Sequence, residues 1–243
     1  MKLNKLSILM PMYNEEIYAA ANIMETDAYF KKHSFTYEII VMDDGSKDMT
    51  FDRASKMQKE YIKVLKLGKN EGKGEALKEA FKACTGDLVM FLDGDLDIHP
   101  RQFEALFDVM NTEGADVVIG SKRHPKSVLH YPFKRKVMSS VYFFMVKLLF
   151  GLPLRDTQTG IKLFKAEALR KTFHKVLIKR YAFDLELLVL LHHYGFKISE
   201  APIVVDYKGK YGNITFKTVF KMVWDTAAVF YRLKLLRYYD RKG

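Results

Sequence analysis

Asp87-Leu88-Val89-Met90-Phe91-Leu92-Asp93-Gly94-Asp95-Leu96-Asp97, residues 87–97, passes from an unbroken apolar run to three aspartates at alternate positions. A short apolar run closed by turn chemistry predicts a strand buried on both faces, as in a parallel sheet. The aspartates then fall just beyond its carboxyl end, where Gly94 lets the backbone turn tightly. Clustered carboxylate oxygens attract hard divalent cations, Mg²⁺ or Mn²⁺, which can also bridge to phosphates. Asp93, Asp95 and Asp97 are therefore the candidate metal ligands.

The same pattern recurs on the N-terminal side. Leu6-Ser7-Ile8-Leu9-Met10 leads into Pro11-Met12-Tyr13-Asn14-Glu15, and Glu38-Ile39-Ile40-Val41-Met42 leads into Asp43-Asp44-Gly45-Ser46. Residues 62–67, 115–120 and 197–202 read as further strands. Helical composition occupies 15–32, the stretch from 46 to about 60, 72–83, 102–111 and 182–194, and a loop spans 155–160. This alternation predicts an α/β fold with a mostly parallel central sheet, flanking helices and a C-terminal amphipathic helix. Ligands of such sheets bind at the carboxyl ends of the strands, where all three polar clusters lie.

At 243 residues and 49% hydrophobic, the chain can form one enzyme-sized core. The division it suggests is a catalytic domain at 1–206 and a basic amphipathic extension at 207–243. Cys84 is the only cysteine, which excludes an internal disulfide framework and fits a reducing compartment. No secretory leader is expected at the N-terminus, and no run approaches the roughly 20 apolar residues that span a bilayer. The net charge of +11 is concentrated: residues 121–155 hold eight Lys/Arg and no acid, and 207–243 hold nine against two. Those segments call for an anionic surface or substrate. Bulky apolar helix faces interleave with them and no nucleic-acid-binding motif accompanies them, which argues against a nucleic-acid partner.

Taken in order, Pro11-Met12-Tyr13-Asn14-Glu15, Asp43-Asp44-Gly45-Ser46, Asn70-Glu71-Gly72-Lys73-Gly74 and Asp93-Gly94-Asp95 resemble the family 2 glycosyltransferases of GT-A fold. The resemblance implies a nucleotide-sugar donor bordered by Pro11, Tyr13, Glu15, Asp44, Gly72, Lys73, Asp93 and Gly94, with the metal beneath the diphosphate. A cation there stabilises the charge gathering on the leaving nucleoside diphosphate.

The second half narrows the resemblance. Arg135 with Ser139, Arg155-Asp156-Thr157-Gln158-Thr159-Gly160 with Lys162-Leu163-Phe164, and Arg180-Tyr181-Ala182-Phe183-Asp184-Leu185-Glu186 look like the polyprenyl-phosphate hexosyltransferases, and Gln158 like their dolichyl-phosphate glucosyl branch. That implies UDP-glucose as donor, with GDP-mannose as the alternative, and polyprenyl phosphate as acceptor. Arg123, Lys134, Arg135, Ser139 and Gln158 are the candidate acceptor-phosphate residues, with Lys122 competing for the place of Arg123. Asp156 and Asp184 are the candidate catalytic-site carboxylates on the acceptor side. For the alternative acceptor, a sugar hydroxyl of a polysaccharide or glycolipid, an acid near Asp184 would serve as base; for a phosphate it would position metal, acceptor or basic side chains. A phosphate monoester is already anionic near neutral pH, so it needs cations to orient it more than a base to deprotonate it.

Residues 137–150 place Val141, Phe144, Met145 and Leu148 at helical spacing beside Lys134-Arg135-Lys136, and Phe216, Val219, Phe220, Val223, Ala227, Phe230 and Tyr231 form a second such stripe. Such faces suit peripheral attachment to an anionic membrane surface, here the cytoplasmic face, or packing on the core or on a second subunit of a homo-oligomer. Arg135→Ala is expected to weaken acceptor use far more than donor binding in steady-state kinetics. Equal loss of both would remove Arg135 from the acceptor site.

Overall fold

The computed structural model describes residues 3–129, 133–206 and 216–240, and the side chains of 133–141, 216 and 217 lie outside that description. In chain order the elements begin β1 (Lys5–Met12), α1 (Ala19–Phe30), β2 (Thr36–Asp43), α2 (Thr50–Ser55), β3 (Ile62–Lys66), α3 (Lys73–Lys82) and β4 (Leu88–Leu92). They continue with α4 (Phe103–Glu113), β5 (Val117–Ser121), β6 (Val128–Leu129), α5 (Phe133–Phe150), β7 (Ile161–Lys165) and α6 (Ala166–Thr172). The last are α7 (Phe183–His193), β8 (Ile198–Pro202), β9 (Val204–Val205) and α8 (Phe216–Phe230).

Seven strands form one sheet in the order β3-β2-β1-β4-β7-β5-β8, and β6 pairs with β9 apart from it. The pairs β1/β2, β1/β4, β2/β3 and β5/β8 are parallel, as the sequence predicts. β7 runs antiparallel between β4 and β5. It was not anticipated as a strand because Lys162 interrupts its apolar run, yet that lysine is only 1% exposed. Strand order reverses between β1 and β4, so a crevice opens at their carboxyl ends.

Period-two alternation divides the core between the two faces of the sheet. Ile8, Met10, Ile39, Val41 and Met90 pack with Ile23 and Phe30 of α1 and with Phe103 and Leu106 of α4. Leu9, Ile40, Val89 and Phe91 pack with Leu77 of α3, Leu169 of α6 and the apolar side of α7. Val229, Leu233 and Tyr239 of the C-terminal segment join that second cluster. Among the expected helices, α2 is the one cut short. The chain turns back where Lys59 and Ile62 exchange backbone hydrogen bonds of 3.0 and 3.1 Å, and the Lys59 ammonium meets Asp27 at 2.6 Å.

Glu38 ties the sheet together away from the crevice. Its Oε1 accepts from Ser7 Oγ at 2.7 Å and from Thr85 N and Oγ1 at 2.7 and 2.9 Å, while Lys63 Nζ reaches Oε2 at 3.2 Å. Burial alone would raise its pKa, but these donors hold it below the ordinary glutamate value. The stabilisation is therefore present above the unfolded-state pKa and lost as pH falls through the folded one. Glu38→Gln is expected to cost about 1–3 kcal/mol in urea unfolding at pH 7. The gap from the wild type should narrow as pH falls through the carboxylate range.

Candidate active site

Two loops at the crevice are joined by reciprocal hydrogen bonds between short polar side chains and backbone. Beyond β1, Asn14 N donates to Ser46 Oγ at 2.9 Å and Glu15 N to Thr50 Oγ1 at 2.7 Å, while Lys47 N returns a bond to Asn14 Oδ1 at 3.0 Å. Asn14 has φ 53°, a left-handed conformation that asparagine tolerates. Pro11 lies in β1, and Tyr13 lines a cavity of about 330 Å³ with Glu15, Tyr18, Asp48, Asp95 and Asp97. Asp44 is 4% exposed and turns its carboxylate to the next loop, accepting from Glu71 N at 2.8 Å, Gly72 N at 2.9 Å and Asn70 Nδ2 at 3.0 Å. Asp44 thus anchors the 70–72 loop that presents Lys73.

The aspartate segment beyond β4 packs tightly on β1. A Cβ on Gly94 would lie 2.6 Å from Met12 Cγ and 3.0 Å from the Pro11 carbonyl, so glycine is what permits this approach. Asp93 N donates to Gly160 O at 3.0 Å, bringing the 155–160 loop against the cluster. Lys73 Nζ contacts Asp93 Oδ1 at 2.5 Å. Burial works against the charge on Lys73, but Asp93 and Asp184 hold its pKa above the ordinary lysine range.

The cluster still carries more negative charge than Lys73 balances. Burial, then Asp93 and Asp97, push Asp95 up to about 6. Burial, then Asp95, Asp93, Asp97 and Asp48, push Glu15 up to about 8. One buried Glu15 oxygen, Oε2, has no hydrogen-bond partner. Such a site fits a divalent cation. Among the described residues no three His, Cys, Asp or Glu side chains converge as a ready-made metal cage. A cation would take one or two carboxylates here and the rest of its shell from phosphate and water, as Mg²⁺ commonly does.

Across the crevice, Lys122 and Arg123 part company. Lys122 N donates to Asp156 Oδ2 at 3.1 Å and its ammonium to the Gln158 carbonyl at 3.2 Å, whereas the Arg123 guanidinium lies 5.1 Å from the centre of the Phe143 ring on α5. Asp156 also accepts from Gln158 N at 3.0 Å, so it shapes its own loop. Gln158 Nε2 donates to Tyr181 O at 3.0 Å. Asp184 sits in the first turn of α7, where the helix dipole favours an anion. Lys162 Nζ donates to Asp184 Oδ1 at 2.7 Å and to Thr159 O at 2.6 Å. Burial alone would raise the Asp184 pKa, but Lys162 and Lys73 hold it below the usual aspartate value.

Tyr13, Glu15, Asp95 and Asp97 thus line one cavity, Lys73 lies between Asp93 and Asp184 beside it, and Asp156 and Gln158 belong to the 155–160 loop that packs on Asp93. Lys134, Arg135 and Ser139 fall in α5 among side chains outside the described residues, so their placement stays an expectation. Lys162 is absent from the sequence-derived set of site residues. The signal for it was a lysine flanked by Ile161, Leu163 and Phe164, but a buried lysine is recognised only when its partner is known, and Asp184 lies 22 positions away.

In the solved glucosyl-3-phosphoglycerate synthase of Mycobacterium tuberculosis, in complex with Mn²⁺, UDP and phosphoglyceric acid, the same arrangement of sheet and helices recurs, with a TM-score of 0.71. The two are 21% identical, over 94% of this chain and 78% of that one, which establishes the fold as GT-A. Residues 7–173 match Glycosyl transferase family 2, and the chain belongs to that family. It is 33% identical to human dolichyl-phosphate beta-glucosyltransferase over 219 residues, 84% of this chain and 67% of the human protein. It is 34% identical over 209 residues to a dolichyl-phosphate beta-glucosyltransferase of Trichomonas vaginalis, 82% of this chain and 64% of that one. The chain thus spans about two thirds of the length of these relatives.

Removing one member of a buried ion pair leaves an uncompensated charge, while removing both does not. Lys162→Met is therefore expected to destabilise the protein by about 3–5 kcal/mol in denaturant unfolding. The double variant with Asp184→Asn should recover most of that loss.

Proposed function

We propose that this protein transfers a hexose, glucose from UDP-glucose, to a polyprenyl phosphate with inversion, giving a β-linked lipid-phosphate sugar. The observation that carries the reading is the ion pair at Asp184. A hydroxyl acceptor needs a base poised near the operating pH, and Asp184, paired with Lys162 and held below the usual aspartate range, is poorly suited to take a proton. A phosphate monoester presents a nucleophile that is already deprotonated. Family membership and the named activities of the human and Trichomonas relatives support the same acceptor class.

In this reading an acceptor phosphate oxygen attacks the anomeric carbon on the face opposite the nucleotide, and the bond to the UDP oxygen breaks. Pro11 and Tyr13 border the base and ribose, with Asp44 fixing the 70–72 loop beside them. Asp93 and Asp95 would hold the divalent cation, with Asp97 and Glu15 adding to the negative field around it. When bound, that cation supplies charge stabilisation to the departing diphosphate. Lys73 brings a fixed positive charge to the same edge. Arg123, Lys134, Arg135 and Ser139 orient the acceptor phosphate, and Lys122, Asp156 and Gln158 set the loop beneath it.

Among the described residues no helix is long and apolar enough to cross a membrane. Apolar surface is nevertheless exposed: Phe220, Trp224, Tyr231 and Leu235 along α8 and the turn that follows it, and Phe144 and Leu148 on α5. Lys147, Lys221 and Lys234 are exposed beside them. Tyr142 and Thr226 join the two helices through a 3.2 Å hydrogen bond. A basic rim around large apolar side chains supports peripheral binding to an anionic membrane, where a polyprenyl phosphate resides.

Incubation of the protein with nucleotide sugars, polyprenyl phosphates and Mg²⁺ or Mn²⁺, with mass detection of the lipid, is expected to give polyprenyl-phosphate glucose from UDP-glucose. Asp95→Ala should lower that turnover by about 100-fold or more. Unchanged activity after chelation would reject the metal role. The protein should also co-float with anionic liposomes containing polyprenyl phosphate, and the Phe220→Ser/Trp224→Ser variant should stay in the soluble fraction.

A further inference from the structure

We infer that Glu186 is a positioning residue through which the C-terminal segment 231–240 sets the loop that bridges the donor and acceptor sides of the crevice. The inference rests on the transfer reaction proposed above for its kinetic consequence, but its geometry stands apart from it.

Glu186 lies on α7 two residues beyond Asp184 and is 0% exposed. Its Oε2 accepts from the backbone N–H groups of Leu177 and Ile178 at 2.9 and 2.7 Å. Its Oε1 accepts from Arg232 Nη2 at 2.9 Å and from the Tyr239 hydroxyl. Arg232 Nε also donates to the Tyr239 oxygen at 2.8 Å, closing a three-membered cluster. The far side of Tyr239 is fixed as well, since its carbonyl accepts from Tyr194 OH at 2.6 Å and Lys175 Nζ at 2.8 Å.

A buried carboxylate with these partners is an expensive way to pack a helix, because apolar residues of similar volume do as well or better. What apolar residues cannot do is hold two loop amides in place. That loop makes contacts on both sides of the site. Lys179 O accepts from Gly74 N at 2.8 Å, next to Lys73, and Arg180 Nη2 donates to Asn70 O at 2.8 Å in the segment that Asp44 anchors. One residue further on, Tyr181 O receives the Gln158 side chain at 3.0 Å. Loosening Glu186 would therefore shift the donor and acceptor contacts relative to each other while leaving each locally intact. A displacement of that kind lowers turnover more than substrate affinity.

Tyr239→Phe removes one donor to Glu186 with little change in volume, and Glu186→Gln keeps the shape but removes the charge. Amide hydrogen exchange across residues 176–182 is expected to quicken by about 5-fold or more in both variants, with exchange in β1 and β4 unchanged. Turnover with polyprenyl phosphate should fall by about 5- to 20-fold while the dissociation constant for UDP with Mn²⁺ changes by less than about 2-fold. Unchanged exchange in 176–182 would overturn the inference, as would quickened exchange with unaltered turnover. Loss of UDP affinity in step with turnover would equally overturn it, since that marks general unfolding. If the wild type transfers no sugar to the lipid, the proposed acceptor is wrong. The exchange result alone then supports or overturns the hold of Glu186 on the loop.

Discussion

Four side chains of alternating sign, Asp93, Lys73, Asp184 and Lys162, meet where the carboxyl end of β4 adjoins the amino end of β7. Lys73 closes on Asp93 at 2.5 Å and Lys162 on Asp184 at 2.7 Å, and Lys73 lies near enough to Asp184 to hold its proton off. Charges removed from water are tolerated only when paired and hydrogen-bonded, so each of these groups constrains the element that carries it. Lys73 fixes the start of α3, Asp184 the start of α7 and Lys162 the inserted antiparallel strand. The reversal of β7 is thereby tied to the site, because it places Lys162 beneath α7 and Gly160 against Asp93.

The first half was legible in the sequence because its determinants are local. An apolar run followed within a few residues by Asn14-Glu15, Asp43-Asp44 or Asp93-Gly94-Asp95 declares both the strand and the polar cluster at its end. Parallel pairing then brings the clusters together without further information, as the registers of β1 with β2 and β4 show. The shared glycosyltransferase motifs and the GT-A fold follow from this half. What the motif does not reveal is the division of labour within it, such as Asp44 being engaged in holding the 70–72 loop.

The second half was less legible because its contacts are long in sequence. The Lys162–Asp184 pair spans 22 positions, Glu186 to Tyr239 spans 53, and Arg180 to Asn70 spans 110. No periodicity encodes such pairs. A lysine in a short strand reads as surface, and a glutamate in a helix reads as a solvated position, until the partner is in place. The Lys122/Arg123 ambiguity had the same origin. It narrows only when β5 is seen to direct Lys122 at the 156–158 loop while Arg123 lies on Phe143.

This asymmetry has a chemical counterpart. The family match covers residues 7–173 and stops short of α7, α8 and the Glu186 cluster. Activating a nucleoside diphosphate as leaving group is a shared problem, met by carboxylates and a lysine at strand ends. Receiving a particular nucleophile is met by whatever the chain packs against that edge. In the reading proposed above, that is a helix whose aspartate is already paired with a lysine, beside two helices that present apolar and basic surface. A hydroxyl acceptor would require the opposite electrostatics at Asp184, with a carboxylate free to gain a proton. Replacing one buried lysine, Lys162, would move Asp184 in that direction by removing the cation that holds its proton off.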